Sequence, residues 1–287
     1  MDELPGRTLS GRYRIERRLG EGGTGIVWLA RDMRERGHVW ALKEIDFSGV
    51  ASSVERAEVM AMFEREADIL MTLSHPALPR IVDRFSEGGH EFLVMERVEG
   101  PTLDGALVSR RGPLTEPEVI RWSMQICDVL AYLHQQTPPV VYRDLKPANV
   151  MLTLEGRIKL IDFGIARPLN PARQRDTAAY GTPGYAPPEQ YGGAASPASD
   201  VYALGVTMHQ LLTRRNPQED GFVMQSTRRF NPSVSVGCEA LIEACTQSAA
   251  PSRPSVDAVR KTLEGLLAAC AKREGGLLER VKRLLWG

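Results

Sequence analysis

Two short stretches constrain this chain more than anything else in it: Val140-Val141-Tyr142-Arg143-Asp144-Leu145-Lys146-Pro147-Ala148-Asn149 and Ile161-Asp162-Phe163-Gly164. Between them, Val150 to Thr153 and Arg157 to Ile161 read as two apolar strands joined by a turn at Glu155-Gly156, the pattern of a hairpin. Antiparallel strands of matched length return to the end they started from. Asn149 enters the first strand and Asp162 leaves the second, so two hard oxygen ligands are expected side by side, with Asp144 one loop away. Oxygen donors in that arrangement suit Mg²⁺ and phosphate.

Tyr-Arg-Asp-Leu-Lys-Pro-x-Asn followed by Asp-Phe-Gly resembles the catalytic core of eukaryotic-type (Hanks-type) serine/threonine protein kinases, with a bacterial member the best fit. That family most often carries His where this chain has Tyr142, a position that supports the loop and does not touch phosphate. The resemblance implies an α+β, bilobal protein kinase fold, with a strand-rich N-lobe holding one regulatory helix and a mostly helical C-lobe. It places an N-terminal lead-in at 1–12, the N-lobe at 13–95, a hinge at 96–100, the C-lobe at 101–270 and an amphipathic C-terminal segment at 271–287.

Other parts of such a site follow in order along the chain. Leu19-Gly20-Glu21-Gly22-Gly23-Thr24-Gly25-Ile26-Val27 lies between two apolar stretches and reads as strand, turn, strand. Glycines at 20, 22 and 25 leave backbone N–H groups open to phosphate oxygens. A GxGxxG alone is weak evidence, and a dinucleotide-binding loop would need a helix after it, where here a strand follows. In Val39-Trp40-Ala41-Leu42-Lys43-Glu44-Ile45 the period of two puts Ala41 and Lys43 on one face. Ala41 can then lie against a base while Lys43 reaches phosphate. Glu66, in a helix expected from Val54 to Leu73, shares a face with Ile69, Leu70 and Leu73 and is the anion expected to direct Lys43.

Further roles come from the resemblance. Phe92 to Gly100 is a buried strand passing into a polar connector; Met95 is similar to the gatekeeper, backbone groups at Glu96 and Val98 would meet adenine, and Thr102 the ribose. Met151 forms the floor beneath the base, with Leu19, Val27 and Ala41 above. Met95, Val98 and Met151 are equally readable as plain core residues, and both readings can hold together. Thr182 with Lys146 favours Ser or Thr over Tyr as acceptor. Glu189, in Ala186-Pro187-Pro188-Glu189, is expected to pair with Arg253, and Asp200 to brace the catalytic loop or, at minimum, to cap its own helix.

Ile165 to Tyr180 is polar, has no clear period, carries Arg167, Arg173 and Arg175, and contains Thr177 as its single Ser or Thr. It reads as an activation segment. A phosphate on Thr177 would find a partner in Arg143; a loop ordered without phosphate remains the alternative.

Composition sets limits on these readings. Lys and Arg together number 36, as do Asp and Glu, so no net field draws the chain to nucleic acid or anionic lipid. Cys127, Cys238, Cys245 and Cys270 lack CxxC or zinc spacing and suit reduced thiols in a cytoplasmic protein. The five histidines show no ligand pattern. The N-terminus, Met1-Asp2-Glu3-Leu4, lacks the apolar core of a signal peptide, and no apolar run of about 18 residues could span a bilayer. Helices are expected near Thr115–His134, Asp200–Thr213, Cys238–Ser248 and Ser255–Arg273. Beyond them Leu277, Leu278, Val281, Leu284 and Leu285 recur at helical spacing among basic residues, a stripe that could lie on a membrane, dock a partner or pack on its own lobe.

The resemblance thus implies ATP-dependent phosphorylation of Ser and Thr hydroxyls on proteins, including the chain itself, with Mg²⁺ as the metal and Mn²⁺ as an alternative. Asp144, Lys146, Lys43 and Glu66 would be catalytic, and Asn149 and Asp162 would hold the metal. A nucleotide-binding pseudokinase scaffold and a small-molecule phosphotransferase are the competing readings, and dimerisation is left open.

Overall fold

The computed structural model describes residues 4–22, 25–35, 37–45, 53–162, 181–220 and 224–286. It divides into two compact units, one formed by 1–100 with 159–180 and the other by 101–158 with 181–287.

The first unit is built on a six-stranded antiparallel sheet: β1 (Thr8–Leu9), β2 (Tyr13–Gly22), β3 (Gly25–Asp32), β4 (Val39–Ile45), β5 (Ile81–Glu87) and β6 (His90–Glu96), in the order β1-β2-β3-β4-β6-β5. Alternation assigns each face its own core. On one face Tyr13, Ile15, Trp28, Ala30, Trp40, Leu42, Phe92 and Val94 cluster, with Leu9 beside them. The other face carries Ile45 and Leu93, which pack with Phe63 and Ala67 of the single long helix, α1 (Ser53–Thr72). Register then fixes what shares this second face. Val27 lies opposite Lys43, Leu29 opposite Ala41, Ala41 opposite Met95 and Lys43 opposite Leu93.

Strand ends are secured by polar bonds to a buried carboxylate. Asp32 accepts from Arg12 Nη2 at 2.7 Å, from Trp40 Nε1 at 3.1 Å and from the backbone of Arg34 and Glu35. The hydrogen bond from Arg12 holds the Asp32 carboxyl well below the usual carboxylate range against the cost of its burial.

The second unit is mostly helical: α2 (Leu103–Ser109), α3 (Glu116–His134), α4 (Pro188–Tyr191), α5 (Pro197–Thr213), α6 (Pro217–Asp220), α7 (Thr227–Phe230), α8 (Val236–Cys245) and α9 (Val256–Trp286). In this unit β7 (Val150–Leu152) leads into a turn in which Thr153 N–H donates to Arg157 O at 2.8 Å, and β8 (Ile158–Leu160) after it carries the chain back into the first unit at residue 159. The start of α3 follows its sequence, for Thr115 N–H donates to the Glu118 carboxylate at 3.0 Å, a capping box. In α5 every residue from Ser199 to Leu212 is buried, the signature of a helix running through a core instead of along its surface.

Two elements differ from the sequence expectation. The helix expected at Asp200 begins three residues earlier, with Ser196 as N-cap and Pro197 in the first turn. That pair is a stronger start signal than an interior Asp, so Asp200 is not the cap. The helix expected to stop at Arg273 continues as α9 to Trp286. Gly275 and Gly276 cost about 1 kcal/mol each in a helix interior, but neither is a proline, and the strong helix formers on both sides carry the backbone through. The side chains of 274–286 fall outside the described residues, and with them the question of where that apolar stripe docks. None of the described helices is long and apolar enough to cross a membrane.

Gly205 shows how closely α5 packs. A Cβ there would lie 2.7 Å from Cys245 Cβ and 2.8 Å from Thr246 Cγ2 at the end of α8. Gly205→Ala should therefore destabilise the helical unit by about 1–3 kcal/mol as backbones shift to make room, seen as a lower midpoint in thermal unfolding; an unchanged midpoint would show that α8 yields freely.

Candidate active site

Within the helical unit, three side chains gather around Asp144 in the loop before β7, and Asp144 is 4% exposed. Thr182 donates its hydroxyl to Asp144 Oδ1 at 2.7 Å, Lys146 Nζ donates to Oδ2 at 3.0 Å, and Asn149 Nδ2 donates to Oδ2 at 2.9 Å and to the Asp144 carbonyl at 2.8 Å. Lys146 Nζ also donates to Thr182 Oγ1 at 2.6 Å. Charge-assisted bonds of this kind fix the direction of a carboxylate. Pro147–Asn149 forms a 3₁₀ turn directly before β7, and Asn149 bonds back onto Asp144 from it.

The loop backbone is gripped from beneath. Asp200 is fully buried and accepts from Tyr142 N at 2.9 Å, from Arg143 N at 2.8 Å and from His134 Nε2 at 2.8 Å. Arg143 has φ 68°, a left-handed conformation that a non-glycine residue adopts only where its surroundings impose it. Those surroundings include its carbonyl, which accepts from the buried Gln190 Nε2 at 2.8 Å. Neither His134 nor Gln190 was marked by the sequence; each acts through a partner more than 40 positions away, and only the tertiary fold supplies it.

Glu189 and Arg253 meet as expected. Arg253 Nη1 donates to Glu189 Oε1 at 2.5 Å and Nη2 to Oε2 at 3.0 Å, a two-pronged pair. Arg253 also donates to the carbonyls of Gln247, Ala198 and Ser248 and lies over the Tyr202 ring. Burial works against the charge on Glu189, yet the bonds from Arg253 and Ser199 outweigh it and leave the carboxyl below its ordinary value. Thr102 is the N-cap of α2, accepting from Gly105 N at 3.0 Å, and bridges to Met151 in β7.

In the sheet unit, Lys43 is 6% exposed and its ammonium is paired with the Asp162 carboxylate. Asp162 has φ 63°, a second left-handed non-glycine residue. The expected partner, Glu66, lies in α1, but its side chain falls outside the described residues; Asp162 as the companion of Lys43 was not foreseen. Val27, Ala41, Lys43 and Met95 share one sheet face through the register given above. Glu96 N–H donates to Arg80 O at 2.8 Å, which leaves its carbonyl as the group a base could use. Val98 follows it, half-buried.

The glycine loop adjoins this face. Gly20 lies opposite Val27, register shifts interrupt β2 between Ile15 and Arg17 and between Arg18 and Gly20, and Leu19 is 38% exposed beside the second shift. Gly22 pairs with Gly25 across a turn. Gly25 has φ 130°, and a Cβ on it would overlap the Glu44 carbonyl. Thr177, the arginines at 167, 173 and 175, and Phe163 and Gly164 lie outside the described residues.

Asn149 commits its amide nitrogen to Asp144, so its oxygen is the ligand-capable atom in the helical unit, and in the sheet unit Asp162 offers a carboxylate; each by itself is a hard oxygen donor of the kind Mg²⁺ takes. The thiols have another character: burial pushes Cys238 and Cys245 up to about 12, so neither is a nucleophile near neutral pH.

The family model for the protein kinase domain matches residues 13–263. The chain is 36% identical over 256 residues to serine/threonine-protein kinase PrkC of Bacillus subtilis, covering 85% of this chain and 38% of the relative. It is 34% identical to serine/threonine-protein kinase PkaA of Streptomyces coelicolor, covering 97% of this chain and 55% of that relative. The chain therefore spans only about half, or less, of the length of these relatives. Among solved structures, the PknI kinase domain of Mycobacterium tuberculosis superposes with a TM-score of 0.72 at 26% identity, over 91% of this chain and 98% of that one.

The Glu189–Arg253 pair yields a stability prediction. Arg253→Met should cost about 3 kcal/mol, because breaking a buried pair strands the other charge. A carboxyl held below its ordinary value contributes stability above that value and loses it as pH falls. The wild-type unfolding temperature should thus drop more steeply than that of the variant below about pH 4.3. Parallel slopes in a pH series of thermal melts would show that the pair carries no linkage.

Proposed function

Since this chain belongs to the protein kinase domain family, we propose that it transfers the γ-phosphoryl group of ATP to Ser and Thr hydroxyls of proteins. The observation that carries this reading is the Asp144 carboxylate held jointly by Lys146, Thr182 and Asn149. Asp144 accepts the proton of the acceptor hydroxyl and aligns it for in-line attack. Lys146, bonded to both Asp144 and Thr182, offsets charge on the transferred group. Thr182 ties the segment that receives the substrate to the base itself, and this supports Ser or Thr in preference to Tyr as acceptor.

Lys43 and the glycine loop at Gly20, Gly22 and Gly25 hold the phosphates, with Glu66 directing Lys43 once nucleotide displaces Asp162 from it. Val27, Ala41, Met95 and Met151 enclose the base, with Leu19 at its edge, the Glu96 carbonyl and Val98 backbone meet its polar edge, and Thr102 approaches the ribose. Asn149 and Asp162 would hold Mg²⁺, which would supply positive charge to offset that of the phosphates. Asp200 keeps the loop in place beneath Asp144, and Glu189 with Arg253 buttresses the substrate segment. Positioning and electrostatics supply most of the acceleration in phosphoryl transfer, because the transition state is loose.

Phosphorylation of Thr177, by the chain on itself, would add up to two negative charges, for which the Arg143 guanidinium is the partner this reading assigns. Cytoplasmic action and protein substrates complete the reading, supported by free cysteines at 127, 238, 245 and 270.

The test is transfer from γ-labelled ATP with Mg²⁺, to the chain and to a generic basic protein, with Asp144→Asn in parallel. The variant should lose at least about 10²-fold in turnover while ATP binding stays within a few-fold. Wild type that binds ATP yet labels nothing would sink the reading in favour of a scaffold, and labelling of small molecules alone would redirect it to another phosphotransferase.

A further inference from the structure

Lys159 stands in the middle of β8, three residues before Asp162, and its ammonium is directed at the end of another strand. Nζ donates to Glu96 Oε1 at 2.7 Å and to Leu78 O at 3.5 Å, and the side chain is only 17% exposed. The other oxygen of the same carboxylate accepts from Arg80 N at 3.3 Å, Glu96 N donates to Arg80 O at 2.8 Å, and Leu160 N donates to Ala77 O at 2.8 Å. Residues Ala77–Arg80, the connection from α1 to β5, are therefore tied on one side to the last residue of β6 and on the other to β8.

We propose that Lys159 is a positioning residue for nucleotide, whose ion pair with Glu96, braced by Ala77–Arg80, fixes the adenine-facing backbone of Glu96 relative to Asp162. This rests on the kinase reading above. The competing account is an ordinary surface salt bridge, since Glu96 retains 41% exposure and such pairs add little stability. Two features separate the accounts. The Lys159 stem is largely buried, and both Glu96 oxygens are engaged, one by Lys159 and one by backbone. A network with backbone partners restricts where the end of β6 can go even when its contribution to global stability is small. Its mark should accordingly appear in nucleotide affinity and not in melting temperature.

The experiment uses adenosine, which carries the base without phosphate, titrated calorimetrically without metal, alongside KM and kcat for ATP with Mg²⁺. Lys159→Met keeps the stem and removes the charge; Lys159→Arg restores it. Lys159→Met should weaken adenosine and raise the KM for ATP by the same factor, about 5- to 20-fold, where tenfold corresponds to about 1.4 kcal/mol. The kcat should stay within about twofold, as expected for lost ground-state binding, and the melting temperature should hardly move. Lys159→Arg should recover most of the affinity, and Glu96→Ala combined with Lys159→Met should be no worse than either alone, as two members of one unit behave.

Unchanged adenosine affinity in Lys159→Met, equal losses in the Arg and Met variants, or a loss that tracks a fallen melting temperature would each overturn the proposal. So would a wild type that does not bind adenosine. A wild type that binds adenosine but transfers no phosphate removes the kinase reading instead, and the clamp remains decided by the binding data.

Discussion

A carboxylate withdrawn from water is costly unless its oxygens are met by donors, and Asp200 has three: the backbone N–H groups of Tyr142 and Arg143 and the ring of His134. Much of the site depends on this one anchor. Without it, Arg143 keeps only the Gln190 bond to its carbonyl to hold its left-handed backbone, and the turn that presents Asp144, Lys146 and Asn149 loses most of its footing. The turn that carries Asp144 is thus placed by a residue outside it, delivered on α5, whose residues from Ser199 to Leu212 are all buried.

The sheet unit solves a parallel problem by register. The turn at Gly22 and Gly25, the strand bearing Lys43 and the strand ending at Glu96 each satisfy their backbone groups through pairing. Alternation then sorts Trp28, Trp40 and Phe92 to one face and Ala41, Lys43 and Met95 to the other. Lys43 is affordable as a buried cation because Asp162 sits beside it. The pair keeps this face of the sheet charge-balanced.

Much of this was legible in the residues. Alternating apolar positions around Lys43, the glycine pattern before Ile26, the tract from Tyr142 to Asn149 and the reach from Glu189 to Arg253 all carry local or family-level signals, and the structure places them on the elements expected. What escaped is non-local. The partnerships of His134 with Asp200, of Gln190 with Arg143 and of Lys159 with Glu96 join residues distant in the chain, and no spacing rule connects them. Helix ends failed for another reason. Asp200 looked like a start because the apolar run begins there, but Ser196 and Pro197 outrank it as a cap and first turn. The helix near Ser255–Arg273 and the apolar stripe beyond it form one continuous helix, because propensity alone seldom breaks a helix at two glycines whose flanks both favour it.

The burial of α5 has a kinetic side as well. A segment with every side chain from Ser199 to Leu212 enclosed belongs to the last part of a fold to open, where amide exchange requires global unfolding and not local fluctuation. Because Asp200 rides on that helix, the backbone amides of Tyr142 and Arg143 are fastened to an enclosed layer although they belong to a loop. A loop anchored in this way keeps its shape for as long as the helical unit is folded.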